Sequence, residues 1–288
     1  MRRVAFYGSR SSYSYLFDNS PSIFGVSMRQ LSSSATKCIK VRESLNDTEK
    51  DIGFKNGFLD IVSLLAFVGL NSGYVVKWYN QGYGGATYDA IQPAQVNQPR
   101  IVDSGVLDIN PDTGLASPYF DYSLKYLTIN QMAVDFSGAL TDRSSFVVAK
   151  SDDTADRVAF AMGNNFTDNP FISYWRSING YNVAFRGDST SIILLNGGGT
   201  DTDTKLITSQ LRTGIASKLM SRDGVLADTS TANVIGNYTL NKCSIGGMFR
   251  SGLDFSFKGY IDEVIFRGEF SATDRQDIDD NITTYYGI

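Results

Sequence analysis

The chain has 288 residues, of which 42% are hydrophobic and 19% charged, with a formal net charge of −4. This composition belongs to a packed globular protein, and its acidic balance argues against a nucleic-acid partner, which needs a basic face. Histidine is absent, which removes the commonest general base and metal ligand and excludes Ser-His-Asp or Cys-His hydrolysis and His-ligated zinc.

With 16 Tyr, 18 Phe, 27 Gly and only 6 Pro, the chain reads as β-rich with many tight turns. Residues 1–23 form an arm rich in Ser and aromatics, with a turn at Asn19-Ser20-Pro21. Phe6, Tyr7, Tyr13, Tyr15, Leu16 and Phe17 are too apolar for a solvated tail. The arm is either an edge strand packed on the main domain or an element docking onto another subunit. The remainder, 24–288, is expected to be one domain, since all-β sandwiches often run undivided to about 200–250 residues.

In chain order, Cys38, Ile39 and Val41 lie among charged residues as in a strand, and Asn46-Asp47 begins a turn. Leu59–Val68 has helical spacing with Gly69 as its stop. A strand follows at Tyr74–Tyr79, then a Gly-rich loop at Gly82–Gly85 and a turn-prone stretch, Gln92–Pro99. Strands are predicted at Ser144–Ala149, Arg157–Met162, Phe171–Trp175, Tyr181–Phe185 and Ser191–Leu195. More follow at Lys205–Ser209, Ser217–Met220 and Leu240–Gly246, with a tight hairpin at Asp223-Gly224. The segment Phe257–Ile288 closes the chain with a strand, Tyr260–Phe266, and a helix N-capped by Ser271 and stopped at Gly287. Cys38 and Cys243 are either one disulfide or two buried thiols; nothing suggests a disulfide framework, so thiols are expected. No signal peptide is expected, because no charged n-region followed by an apolar run is visible at the start, and no apolar run is long enough to span a bilayer.

The closing strand and helix resemble those of laminin-G-like, concanavalin-A-like jelly rolls, as does the Arg222-Asp223-Gly224 hairpin. Residues 28–103, with their DIGF element, small helix and Trp78-Tyr79-Asn80-Gln81-Gly82 loop, resemble the opening of the fungal α-L-arabinofuranosidase catalytic domain. They look still more like bacteriophage proteins sharing that opening. The resemblance implies an all-β, concanavalin-A-like jelly-roll sandwich with a short inserted helix and a C-terminal helix. It also implies a virion component of a tailed bacteriophage, made in the host cytoplasm, on the tail or decorating the capsid. Partners would be other virion proteins and further copies of itself.

Glycoside hydrolysis needs two carboxylates flanking the sugar. The resemblance puts Asp262 at the nucleophile position of the enzymes, with Glu263 displaced by one residue and expected on the opposite side of the sheet. Asp262 is a methylene shorter than the enzymes' Glu, no second carboxylate can be placed, and the enzymes' adjacent cysteine pair is missing. The expectation is therefore no enzyme, with Asp262 and Glu263 the catalytic candidates otherwise. Trp78, Tyr79 and Gln81 are carbohydrate-binding candidates, or else plain strand residues. The acidic runs Ser151–Thr154 and Asp201–Thr204 and the Gly-rich stretches read as turns. No cofactor or metal is expected; a host surface glycan is the candidate ligand.

Overall fold

The computed structural model describes residues 15–139, 142–168, 170–177, 181–188, 192–199, 201–211, 218–231, 237–268 and 272–288. Among the described residues, twenty strands join in one continuous network, and its ladders are antiparallel. It folds over on itself as an all-β jelly-roll sandwich. One layer runs from Glu49–Lys55 through Lys37–Glu43, Gly73–Trp78, Ala90–Ile91 and Leu127–Thr128 to Lys242–Ile245. It continues through Arg157–Gly163, Phe171–Ser177 and Tyr181–Arg186 to Ile193–Gly198. The facing layer runs from Val225–Ser230 through Lys218–Arg222, Lys205–Leu211 and Arg143–Ser151 to the closing strand, Lys258–Arg267. The first strand, Phe24–Ser27, and Tyr119–Asp121 add to the far edge of the closing strand.

Alternation along Arg143–Ser151 shows the layering. Val147 and Ala149 join the main core between the layers, with Trp78, Phe160, Trp175 and Val264. Phe146 and Val148 point outward into a second cluster under the C-terminal helix, Ala272–Tyr286. There they meet Ile278, Ile282, Tyr285 and Tyr286, residues spaced to line one face of a helix. Gly287, at φ +73°, ends that helix as expected; Ser271 lies outside the described residues. The inserted helix is shorter than its sequence suggests, Ile61–Val68, because the Asp60 side chain caps it by accepting from the Ser63 N–H at 3.1 Å.

Asp223 and Gly224 have φ of +52° and +79°, the double left-handed pair that matches hairpin twist. Both cysteines are free and buried, Cys38 with its sulfur 3.7 Å from Met28 Sδ and Cys243 at 3.7 Å from Met132 Sδ. Burial holds both thiols well above the ordinary cysteine range. The short helix Leu16–Asn19 packs onto the domain: the Phe17 N–H donates to the Leu31 carbonyl at 2.7 Å, and its ring covers Gly25.

Gly259, three residues before the bulge described below, has φ +134°, and a Cβ there would lie 2.0 Å from the Lys150 carbonyl oxygen. Gly252 has a similar φ of +147° with nothing within 4 Å of a built Cβ. Gly252→Ala should therefore cost only backbone strain, about 1–2 kcal/mol, whereas Gly259→Ala should cost clearly more, about 3 kcal/mol or above. Chemical denaturation of the two variants checks the order.

Candidate functional site

The strand that carries both candidate acids is not regular. Val148 pairs with Glu263 and Ala149 with Ile261, so Asp262 is the extra residue of a β-bulge. Ile261 and Val264 both reach the main core, and counting outward from either neighbour brings Asp262 and Glu263 out on the same face, the one that carries the C-terminal helix. This corrects the expectation that the two carboxylates lie on opposite sides. Strict alternation fails at a bulge because one residue is inserted without a cross-strand partner.

Glu263 is fully buried and bound by Arg29, itself buried. Arg29 Nε donates to Oε2 at 2.6 Å and Nη2 to Oε1 at 2.7 Å, a bidentate fork. Nη1 donates to Asn281 Oδ1 at 2.8 Å, and the guanidinium lies 4.5 Å from the centre of the Tyr285 ring. The Tyr286 hydroxyl adds a bond to Glu263 Oε2 at 3.1 Å. Burial, followed by the Glu263 charge, raises the Tyr286 phenol well above its usual range.

Asp262 is also buried, but its side-chain hydrogen bond comes from a neutral amide. Asn110 Nδ2 donates to Oδ2 at 2.7 Å and also reaches Thr204 Oγ1 at 3.0 Å. Asp112 in the same loop accepts from the Thr204 N–H at 2.7 Å, and Lys150 Nζ lies 3.9 Å from Asp112. Burial pushes the Asp262 carboxyl up to about 7; the Asn110 bond and Ser117 oppose this, while Glu263 and Asp112 add to it.

The Trp78-Tyr79-Gln81 trio forms no stacking platform. Trp78 is fully buried in the main core. Tyr79 is half-buried, its hydroxyl donating to Asp51 Oδ1 at 2.6 Å, with Lys37 and Lys77 5.3 and 5.2 Å from its ring centre. Gln81 is buried and ties backbone together, accepting from Leu31 N at 2.6 Å and donating to the Ser27 and Arg29 carbonyls at 3.1 and 3.0 Å. The exposed aromatic of this loop is Tyr83, 70% accessible. The loop is pinned by Asn80, whose Oδ1 accepts from Gly25 and Gly82 N–H, both at 2.9 Å, and whose Nδ2 reaches three carbonyls. Of the arm residues, Phe17 belongs to the cluster under the C-terminal helix and Tyr15 is half-buried; Phe6, Tyr7 and Tyr13 lie outside the described residues. The acidic turns bond internally: Asp153 pairs with Arg157 at 2.8 Å, and Asp201 accepts from the Asp203 N–H at 3.2 Å.

Arg29, Asn110, Tyr286 and Tyr83 escaped the sequence reading. Arg29 meets Glu263 across 234 residues of sequence, and neither the bulge nor that pairing has a local signature. Tyr83 alone had one, an aromatic flanked by Gly82 and Gly84-Gly85.

No family model and no curated protein matches the sequence. Solved structures match the fold. An arabinofuranosidase complexed with arabinofuranosyl-alpha-1,2-xylobiose has a TM-score of 0.68 at 11% identity, covering 94% of this chain and 64% of that one. A GH54 a-l-arabinofuranosidase soaked with a cyclic sulfate inhibitor has a TM-score of 0.67 at 12% identity, with the same coverage of 94% and 64%. The CBM40 of a Ruminococcus gnavus IT-sialidase has a TM-score of 0.42 at 14% identity, over 49% of this chain and 84% of that one. The chain thus spans just under two thirds of the length of the arabinofuranosidases it matches, and what it shares with them at these identities is the fold.

Removing one partner of the buried pair strands the other charge. Arg29→Met should destabilise by about 3–5 kcal/mol, and the double variant Arg29→Met with Glu263→Leu should recover most of that loss. Denaturant midpoints of the single and double variants test the pairing.

Proposed function

We propose that the chain is a non-enzymatic structural component of a tailed bacteriophage particle, tail-associated or decorating the capsid, and that it assembles there as a homo-oligomer beside other virion proteins. The observation that carries the non-catalytic reading is the state of the two acids. Glu263 is neutralised by a bidentate arginine and covered by a helix, and Asp262 is covered by a loop. A glycosidase must place both carboxyls against the sugar, one of them as an open nucleophile or base. Sealing both carboxyls beneath the helix and the loop leaves neither in position to attack. The virion assignment is supported by the sequence resemblance over residues 28–103 and 245–288.

A second reading, adhesion to host surface glycans, is favoured by Tyr83. A solvent-facing ring on a backbone fixed by Asn80 presents an apolar platform, which suits the apolar face of a sugar ring. The fold is one that carbohydrate-active proteins also use, although a fold by itself does not specify a ligand.

Incubation of the full chain with aryl α-L-arabinofuranosides should give no hydrolysis above background. Turnover that disappears in Asp262→Asn or Glu263→Gln would overturn the non-catalytic reading. On a glycan array, the adhesion reading expects binding that falls about tenfold or more in Tyr83→Ala, the scale of one lost aromatic contact. No binding to any glycan, or binding indifferent to Tyr83, would count against it.

A further inference from the structure

We infer that the exposed face of the short helix Asn130–Asp135 and the ring of Tyr83 together bind a neutral sugar with two adjacent hydroxyl groups, which the Asp135 carboxylate accepts. The inference rests on the adhesion reading of Tyr83 and supplies the polar half of that site. The inner face of the helix is taken up by Met132 and Ala133, both buried in the main core. Gln131, Val134 and Asp135, at positions i, i+3 and i+4, come out together on the other side. All three are exposed, the apolar Val134 at 57%.

Tyr88 ties this face to the Tyr83 loop. Its ring packs against Gly84, the residue after Tyr83, so closely that a Cβ at Gly84 would stand 2.0 Å from Tyr88 Cδ2. The Tyr88 hydroxyl donates to Asp135 Oδ2, and the Tyr83 phenol is close enough to act on it electrostatically. One tyrosine side chain thus bridges the aromatic platform and the carboxylate. The backbone beneath Tyr83 is fixed on the other side as well. Its N–H donates to the Ser22 carbonyl at 3.0 Å, and the Gly84 N–H to the Ile23 carbonyl at 2.9 Å. A Cβ at Gly82 would meet the Ser22 oxygen at 2.4 Å, so the loop accepts only glycine there.

The Asp135 carboxylate is oriented and still has capacity to bind. Tyr88 occupies Oδ2, and Gln131 Nε2 donates to Oδ1 at 2.8 Å. That is one donor on each oxygen, and each oxygen of an ionised carboxylate accepts two. The remaining lone pairs take two hydroxyl donors, and hydroxyls on neighbouring ring carbons are spaced to meet both oxygens of one carboxylate. The Tyr83 ring and Val134 offer the apolar surface that the C–H face of the same sugar needs. The charge on Asp135 repels an anionic sugar, and the cation that acts on Tyr83, Arg267, has its own acid in Asp274. Neutral sugars are therefore selected.

The full chain and its Tyr83→Ala and Asp135→Asn variants, applied to an array of neutral and uronic-acid oligosaccharides, test the site. The wild type should bind neutral glycans and leave uronic acids unbound. Asp135→Asn should keep the wild-type melting temperature, because the position is exposed, and weaken binding about tenfold or more, the scale of a lost hydrogen bond to a charged group. A second measurement uses the wild type alone: methyl glycosides of the bound neutral sugars compete for the array, and monodeoxy analogues lacking one of two adjacent hydroxyls should compete at least about tenfold less well. Binding that needs Tyr83 but is indifferent to Asp135→Asn leaves the adhesion reading standing and overturns this inference. Preference for uronic acids, or equal competition by every monodeoxy analogue, overturns it too. Failure to bind any glycan, or binding indifferent to Tyr83, removes the adhesion reading and the inference with it.

Discussion

A guanidinium and a carboxylate with no exposed surface, Arg29 and Glu263, set the conditions under which the rest of the chain closes. Two such charges leave water at a cost of several kcal/mol each, and only a fork-to-fork geometry with every remaining donor occupied makes that tolerable. The chain meets the condition by converging four segments on one spot. The first strand brings Arg29 alongside the closing strand, and the helix at the C-terminus contributes Asn281, Tyr285 and Tyr286. The Trp78–Gln81 segment then locks the Arg29 backbone through Gln81. The first strand, the last helix and the Trp78–Gln81 segment all meet at this one ion pair. Buried pairs of this kind are better at specifying one arrangement than at stabilising it, and here the arrangement joins the two ends of the chain.

The strands of the sandwich were legible because their signals are local. Alternation and β-branched content mark Arg143–Ser151 and Lys258–Arg267, and Asp223-Gly224 marks its hairpin. The inserted and terminal helices announced themselves by spacing and by a glycine stop. The site was much less legible, for three distinct reasons. A bulge has no composition of its own, so counting by twos sent Glu263 to the wrong face. Trp78 and Tyr79 adjoin in sequence, but the tryptophan fills the core while the tyrosine is held between lysines, and only the packed sheet decides which is which. Gln81 suits sugar hydroxyls and backbone amides equally well, and the nearby backbone of Ser27, Arg29 and Leu31 engages both its donors and its carbonyl.

The comparison with sugar-processing structures gains its meaning from this detail. The backbone course is shared over nearly the entire chain, at an identity where side-chain chemistry is free to diverge. The closing strand carries two adjacent acids, yet one is tied into an ion pair and the other is sealed beneath a hairpin. In this chain both acids hold segments of the fold against one another.

The two sulfur pairs have a consequence of a different kind. Cys38 and Cys243 sit in separate parts of the core, each against a methionine, each held as a neutral thiol. Neither presents a thiolate, so neither exchanges readily with glutathione nor oxidises at its surface. The sandwich contains no cross-link between them to form or to break. Its stability therefore does not depend on forming or reducing a disulfide.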